Sequence, residues 1–247
     1  MHINFNNMLS KNQIKFINRL GQKKFRFKDG CFVVEGIKTI NELLQSHFEL
    51  YQLYTTESFN IDAKTENLIS DSDLKRISFL KTPNTALAVF KIPKPKPIGF
   101  ENLILALDDV RDPGNLGTII RLCDWFGVKD LVCSKQTVDC YNPKVLQATM
   151  GSISRVNINY VDLDLFLEQA QLPVFGAFMN GENVYKTVLP KKGILVMGNE
   201  ANGISKTIAE RVTARVAIPR FGDLQATESL NVATATAVLL SEFKRNV

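Results

Sequence analysis

Short apolar runs alternate with helix-like stretches through residues 98–247, and this pattern restricts the fold more than any other feature of the chain. The runs lie at Leu103–Leu107, Asp130–Cys133, Val156–Tyr160, Val174–Phe178, Ile194–Met197 and Arg215–Ile218. Helical spacing fills Leu116–Phe126, Pro143–Thr149, Leu163–Gln171 and Lys206–Val212, and a last helix is expected over Leu230–Lys244, where Ala233, Ala235 and Ala237 permit close packing. Strands that alternate with helices predict a doubly wound parallel α/β sheet. Ligands of such sheets bind beyond the carboxyl ends of the strands, so the loops after Leu107, Met197 and Ile218 are the candidate functional loops.

The run Pro93-Lys94-Pro95-Lys96-Pro97 cannot continue a helix or an inner strand and reads as an extended linker between two domains, 1–97 and 98–247. The smaller first domain is expected to be α/β as well, with strands at Cys31–Glu35, Leu50–Thr55 and Ala86–Lys91 and helices at Ile37–Gln45 and near Asp73–Ile77. The charge is unevenly shared. The whole chain carries +5, yet residues 1–30 hold seven basic groups (Lys11, Lys15, Arg19, Lys23, Lys24, Arg26 and Lys28) against Asp29 alone. Ser10-x-x-Gln13 is a capping box for a helix that ends near Gly21. Lys11, Lys15 and Arg19 recur every four residues along one face of it, and Phe25 and Phe27 interleave with the cations that follow. The segment suits contact with nucleic-acid phosphates and bases, or is a solvated helix face.

Other chemistry is scarce. Cys31, Cys123, Cys133 and Cys140 form no CxxC pair and read as buried, reduced thiols, and with only His2 and His47 present neither a metal site nor a His-based triad is expected. No leader segment and no apolar run approaching the ~18 residues of a membrane span is found. A soluble, cytoplasmic protein is expected.

In the first candidate loop, Asp108–Thr118, Asp112-Pro113-Gly114-Asn115 makes a tight turn into a helix carrying Arg121. The amides of Leu116 to Ile119 could attract an anion there, while Arg121 could simply pair with Asp124. The second, Gly198–Ser205, has the glycine spacing of a phosphate loop, but Ile204 occupies the position that needs lysine. ATP and dinucleotides are therefore poor candidates, and no GxGxxG occurs. In the third, Ile218-Pro219-Arg220-Phe221-Gly222 leads through a polar stretch to Ser229-Leu230-Asn231-Val232, with Ser229 suited to an N-cap.

These three loops, in this order, resemble the motifs of the SpoU/TrmH family of S-adenosylmethionine-dependent RNA ribose methyltransferases of the SPOUT superfamily. Asn115 to Arg121 resembles the first motif (N-x-G-x-x-x-R), Val196 to Ser205 the second (MGNE-x-x-G-IS) and Ile218 to Val232 the third (IP…SLNV). The first domain is similar, by pattern and charge, to ribosomal protein L30e and to the substrate-binding domain of many members. The resemblance implies a parallel sheet whose C-terminal part threads a trefoil knot, a cofactor held at Gly198, Ile218 and Leu230 with Met179 nearby, and a homodimer. It also implies catalytic roles for Arg121, Asn115, Glu200, Ser229 and Asn231. The separate N-terminal RNA-binding module favours ribosomal RNA as substrate, with transfer RNA as the alternative. Arg220-Phe221, the long stretch from Gly222 to Glu228, and Ala233 depart from the family pattern and bear on substrate choice. The competing readings are a non-catalytic RNA-binding protein and a nucleotide-binding regulator. The full motif set argues against the former, and the absent lysine argues against the latter.

Overall fold

The computed structural model describes residues 8–222, 224 and 229–245. Its contacts divide the chain into two units, Met1–Lys94 with Asp139–Ser154, and Pro95–Val138 with Arg155–Val247.

In the first unit, helix α1 (Lys11–Arg19) begins with the expected capping box, the Gln13 amide donating to Ser10 Oγ at 3.2 Å and the Ser10 amide to Gln13 Oε1 at 2.9 Å. A second helix that the sequence reading lacks, α2 (Lys23–Asp29), follows at once and is closed by Gly30 at φ +63°. Then come β1 (Cys31–Glu35), α3 (Ile37–Leu44), β2 (Leu50–Thr55), the unforeseen short β3 (Glu66–Leu68), α4 (Asp71–Ile77) and β4 (Ala86–Lys91). The sheet order is β1-β4-β2-β3, antiparallel except for the β2–β3 pair.

Both faces of this sheet are covered, which explains why β1 and β4 are buried along almost their whole length. On one face Val33, Leu87 and Val89 join Ile17, Leu20, Leu74 and Ile77 from the helices. On the other, Phe32 meets Phe90, Phe48 and Tyr141 with ring centroids 6.0, 5.5 and 4.7 Å apart. Tyr141 belongs to the segment Asp139–Ser154, whose helix Pro143–Thr149 packs on β1.

One other contact of that segment, and its grouping, alter the sequence reading. Arg26 is 1% exposed, and its Nε and Nη2 donate to Asp139 Oδ2 at 2.8 and 2.6 Å while Nη1 donates to the Leu20 carbonyl at 2.8 Å. A guanidinium so enclosed cannot reach a phosphate, so Arg26 leaves the set of RNA-contact candidates. The division at the Pro-Lys linker is likewise modified, because residues 139–154 group with the first unit instead of with the residues on either side of them in sequence.

The second unit continues with β5 (Leu103–Leu107), α5 (Pro113–Trp125) and β6 (Asp130–Ser134). After α6, the Pro143–Thr149 helix, come β7 (Asn157–Val161), α7 (Leu163–Gln169), β8 (Val174–Asn183), β9 (Gly193–Met197), α8 (Lys206–Ala209), β10 (Ala214–Ala217) and α9 (Val232–Lys244). All six strands are parallel in the order β10-β8-β9-β5-β6-β7, as the alternation predicts. β5 and β9 are buried at every position, so each reads as an unbroken apolar run. The order reverses between these two central strands, which puts the loops after Leu107 and Met197 side by side at the switch point. β8 runs five residues beyond the Phe178 expected as its end, so Met179 lies within the strand, and α9 packs against α5.

Candidate active site

The turn after β5 is built on carboxylates. Asp108 is buried and accepts the Ser205 amide at Oδ2 (2.7 Å), which ties this turn to the end of the loop after β9. Asp109 has φ +60°, a conformation uncommon for a residue with a side chain. Two neighbours hold it there: its amide donates to Ser134 Oγ at 2.9 Å, and its carbonyl accepts Asn199 Nδ2 at 2.7 Å. Asp112, not part of the expected site, is the N-cap of α5 and accepts the Asn115 amide at 2.8 Å. The helix therefore starts at Pro113 and takes in the amides of Leu116 to Ile119, that of Leu116 donating to the Asp112 carbonyl at 3.1 Å.

The loop Gly198–Ser205 folds back on itself. Asn199 and Gly203 exchange two backbone hydrogen bonds of 2.9 Å, and Asn199 Oδ1 accepts the amides of Ala201 and Asn202. A Cβ on Gly198 would lie 2.2 Å from the Gly203 carbonyl carbon and from the Ile204 nitrogen, so only glycine fits. The Glu200 carboxylate crosses to the first loop, accepting the amides of Arg111 (3.2 Å) and Asp112 (3.1 Å) and the side-chain amide of Asn115 (3.1 Å). Partial burial pushes the Glu200 carboxyl up, but the Asn115 side chain and these backbone donors outweigh it and hold the group below the usual glutamate range.

The third loop closes the chain of contacts. Asn231 Nδ2 donates to Asn115 Oδ1 at 2.9 Å, so Asn231, Asn115 and Glu200 form one line of hydrogen bonds drawn from all three motifs. Asn231 is also the N-cap of α9, its Oδ1 accepting the amides of Ala233 and Thr234. The cap is thus Asn231 and not Ser229, and the helix begins two residues later than the sequence suggests. Of the long stretch after Gly222, Asp223 and residues 225–228 lie outside the described residues.

A cavity of about 1010 Å³ adjoins this network. Gly198, Ile218, Leu230 and Met179, the four residues expected to hold a cofactor, all line it, as do Ser229 and Glu200. Its wall is largely apolar, and Glu200 and Arg220 are its acidic and basic members among the described residues. Arg121 stands apart. It is exposed on α5, six residues beyond Asn115, and forms no hydrogen bond or ion pair among the described residues; Asp124, its alternative partner, pairs with Arg155 at 2.9 Å. Asp108, Asp109, Asp112 and Asn199 are the site residues that the sequence reading missed. The double Asp directly after a buried strand was the available signal for the first two.

Comparison with known proteins matches the profile of the SpoU rRNA Methylase family to residues 102–241 and that of the MRM3-like substrate binding domain to residues 11–88. The chain belongs to the SpoU rRNA methylase family. Over 241 residues it is 29% identical to the 23S rRNA (guanosine(2553)-2′-O)-methyltransferase RlmP of Bacillus subtilis, covering 94% of this chain and 96% of that one. A TrmH-family protein from Porphyromonas gingivalis has a similar structure, with a TM-score of 0.88 and 40% identity over 98% of this chain and all of the other. The AdoMet-bound rRNA methyltransferase from Sinorhizobium meliloti gives 0.86 and 28%, covering 98% and 97%. Among SpoU family members, then, the resemblance extends through both units.

Proposed function

We propose that this protein transfers the methyl group of S-adenosylmethionine to a ribose 2′-hydroxyl of ribosomal RNA. The observation that carries the reading is the Asn231–Asn115–Glu200 line of hydrogen bonds beside the cavity, a polar assembly that the fold alone does not require. The cavity suits the cofactor: apolar walls for an adenine, loop backbone for polar recognition, and one group of each charge for a zwitterionic amino-acid end. Gly198, Ile218, Leu230 and Met179 would hold it, and its sulfonium supplies an electrophilic methyl group.

The protein must orient the incoming hydroxyl in line with that methyl and see its proton removed. Glu200 and Asn231 fix the side chain of Asn115, and Ser229 stands at the cavity rim to help hold the ribose. A guanidinium is a poor proton acceptor, so Arg121 acts as an orienter of the hydroxyl or a clamp on the adjacent phosphate. The exposed Lys11, Lys15, Lys23, Lys24 and Lys28 of the first unit form the RNA handle. Arg19 contributes less, since Asp29 neutralises it at 2.8 Å. The implied trefoil knot belongs to this reading, as do a homodimer and a cytoplasmic location where ribosomal RNA is assembled. Two features support the dimer: Trp125, one turn beyond Arg121, is 85% exposed, and Arg121 itself lacks a partner among the described residues. Among the described residues no helix is long and apolar enough to cross a membrane.

Incubating the protein with methyl-tritiated cofactor and ribosomal RNA, then digesting to nucleosides, tests the reaction. Label in a 2′-O-methyl nucleoside is expected. Label appearing only with transfer RNA would change the substrate, and none with either RNA would overturn the activity.

A further inference from the structure

The first unit carries an arrangement that its fold does not explain. Aromatic rings and cations alternate across α1, α2 and β2. The Tyr51 ring lies 5.8 Å from that of Phe16, the Arg19 guanidinium carbon lies 5.1 Å from the Phe16 centroid and 5.9 Å from that of Phe25, and Lys24 Nζ lies 4.8 Å from Phe25. Arg19 is held between its two rings by an ion pair with Asp29, its Nη2 donating to Oδ1 at 2.8 Å. On the other flank of α2, Lys23 Nζ sits 5.9 Å from the ring of Phe27.

Two of these rings face solvent, Tyr51 being 44% and Phe27 56% exposed. On the same two helices Lys11, Lys15, Lys24 and Lys28 form no ion pair among the described residues, whereas Lys91, a neighbour of Tyr51, and Arg76 are paired with Glu49 and Asp73. The single acid of the two helices is already neutralised by Arg19. A solvated helix face needs no exposed rings, and a surface that grips a duplex by its phosphates has no use for them, because paired bases present no free π-face. Exposed rings set among unpaired cations fit a polyanion whose bases are unstacked.

We infer that the α1–α2–β2 surface of the first unit is a stacking platform for unpaired nucleotides, with Tyr51 and Phe27 as the stacking rings and the surrounding lysines on the phosphates. This rests on the reading of the protein as an RNA methyltransferase and narrows it to targets that present a single-stranded loop. The fixed Arg19 keeps Phe16, and through it Tyr51, in place before RNA arrives.

Binding of the full chain to a labelled single-stranded RNA decamer and to an RNA hairpin duplex is measured by anisotropy across a salt series. The variant Tyr51→Ala/Phe27→Ala is expected to lose about thirtyfold or more in affinity for the single strand, with the salt slope and duplex binding unchanged. Tyr51→Phe keeps the ring and should bind as the native protein does. Lys24→Gln/Lys28→Gln should lower the salt slope by roughly 1.4 and weaken both RNAs. Unchanged single-strand affinity in the ring variant, an equal loss on both RNAs, or no binding of either RNA to the native chain overturns the inference. Methyl transfer by the native protein is scored separately, so an active enzyme with an indifferent ring variant refutes the platform alone. An inactive protein whose ring variant still loses single strands refutes the assigned reaction alone.

Discussion

Asn231 donates from one end of its amide to Asn115, 116 residues earlier in the chain, while the other end caps α9. One side chain therefore both starts the last helix and braces the loop after β5, which is proposed to be catalytic. Replacing it with aspartate separates the two roles, because a carboxylate still caps but cannot donate. Asn231→Asp should melt close to the native temperature and transfer methyl roughly a hundredfold more slowly, while Asn231→Ala should also lose about 1 kcal/mol of stability. Thermal unfolding and tritium transfer, run on both variants, read the two effects independently.

The Glu200 carboxylate is held below its ordinary titration range by the Asn115 amide and the backbone donors, against the opposing effect of burial. A depressed folded value means that the stabilisation is fully present above the unfolded pKa of about 4.3 and is lost as pH falls through the folded one. Glu200→Gln should therefore have a lower urea midpoint than the native protein at pH 6, with the two converging below pH 4. Parallel curves down to pH 3 would contradict the assignment.

Arg26 and Asp139 are each enclosed, with side chains 2% and 3% exposed. Removing one partner strands a buried charge, so Arg26→Met should destabilise the first unit by about 3–5 kcal/mol. The double variant Arg26→Met/Asp139→Leu should recover most of that loss in urea unfolding. Failure to recover would mean that the hydrogen bonds to Leu20 and Tyr141, and not the charge pairing, hold the segment.

The Gly203–Ile204 peptide fills the space where a Gly198 side chain would stand. Gly198→Ala must spread the loop, because neither contact is a movable side-chain end. Calorimetry should show cofactor binding abolished, together with a lower melting temperature.

Arg121→Ala tests the proposed chemistry at a residue with no structural partner among those described. Stability within about 0.5 kcal/mol of native is expected, with unchanged cofactor affinity and no methyl transfer. Native turnover in this variant would remove Arg121 from the catalytic set.

The strands of both sheets were legible because buried strands leave an apolar signature, and β1, β2 and β4 of the first sheet and β5 of the parallel one fall where the sequence places them. Helix α2 was not, since Lys23–Asp29 has cations on most of its surface and buries only Arg26, an unlikely core residue until Asp139 is known to lie against it. Asn115, Glu200 and Asn231 were identifiable through the motifs, but their mutual hydrogen bonds were not, because these link positions far apart in sequence. The strained Asp109 and its supports Ser134 and Asn199 were hidden for the same reason.

The first unit is finished by residues that follow it in synthesis. Until Tyr141 emerges from the ribosome, Phe32 lacks one of its aromatic neighbours, and until Asp139 does, Arg26 has no counter-charge. The nascent unit must therefore wait, incompletely packed, while some 45 residues of the next unit are translated. Grafting this N-terminal unit onto another methyltransferase would require transplanting residues 139–154 with it.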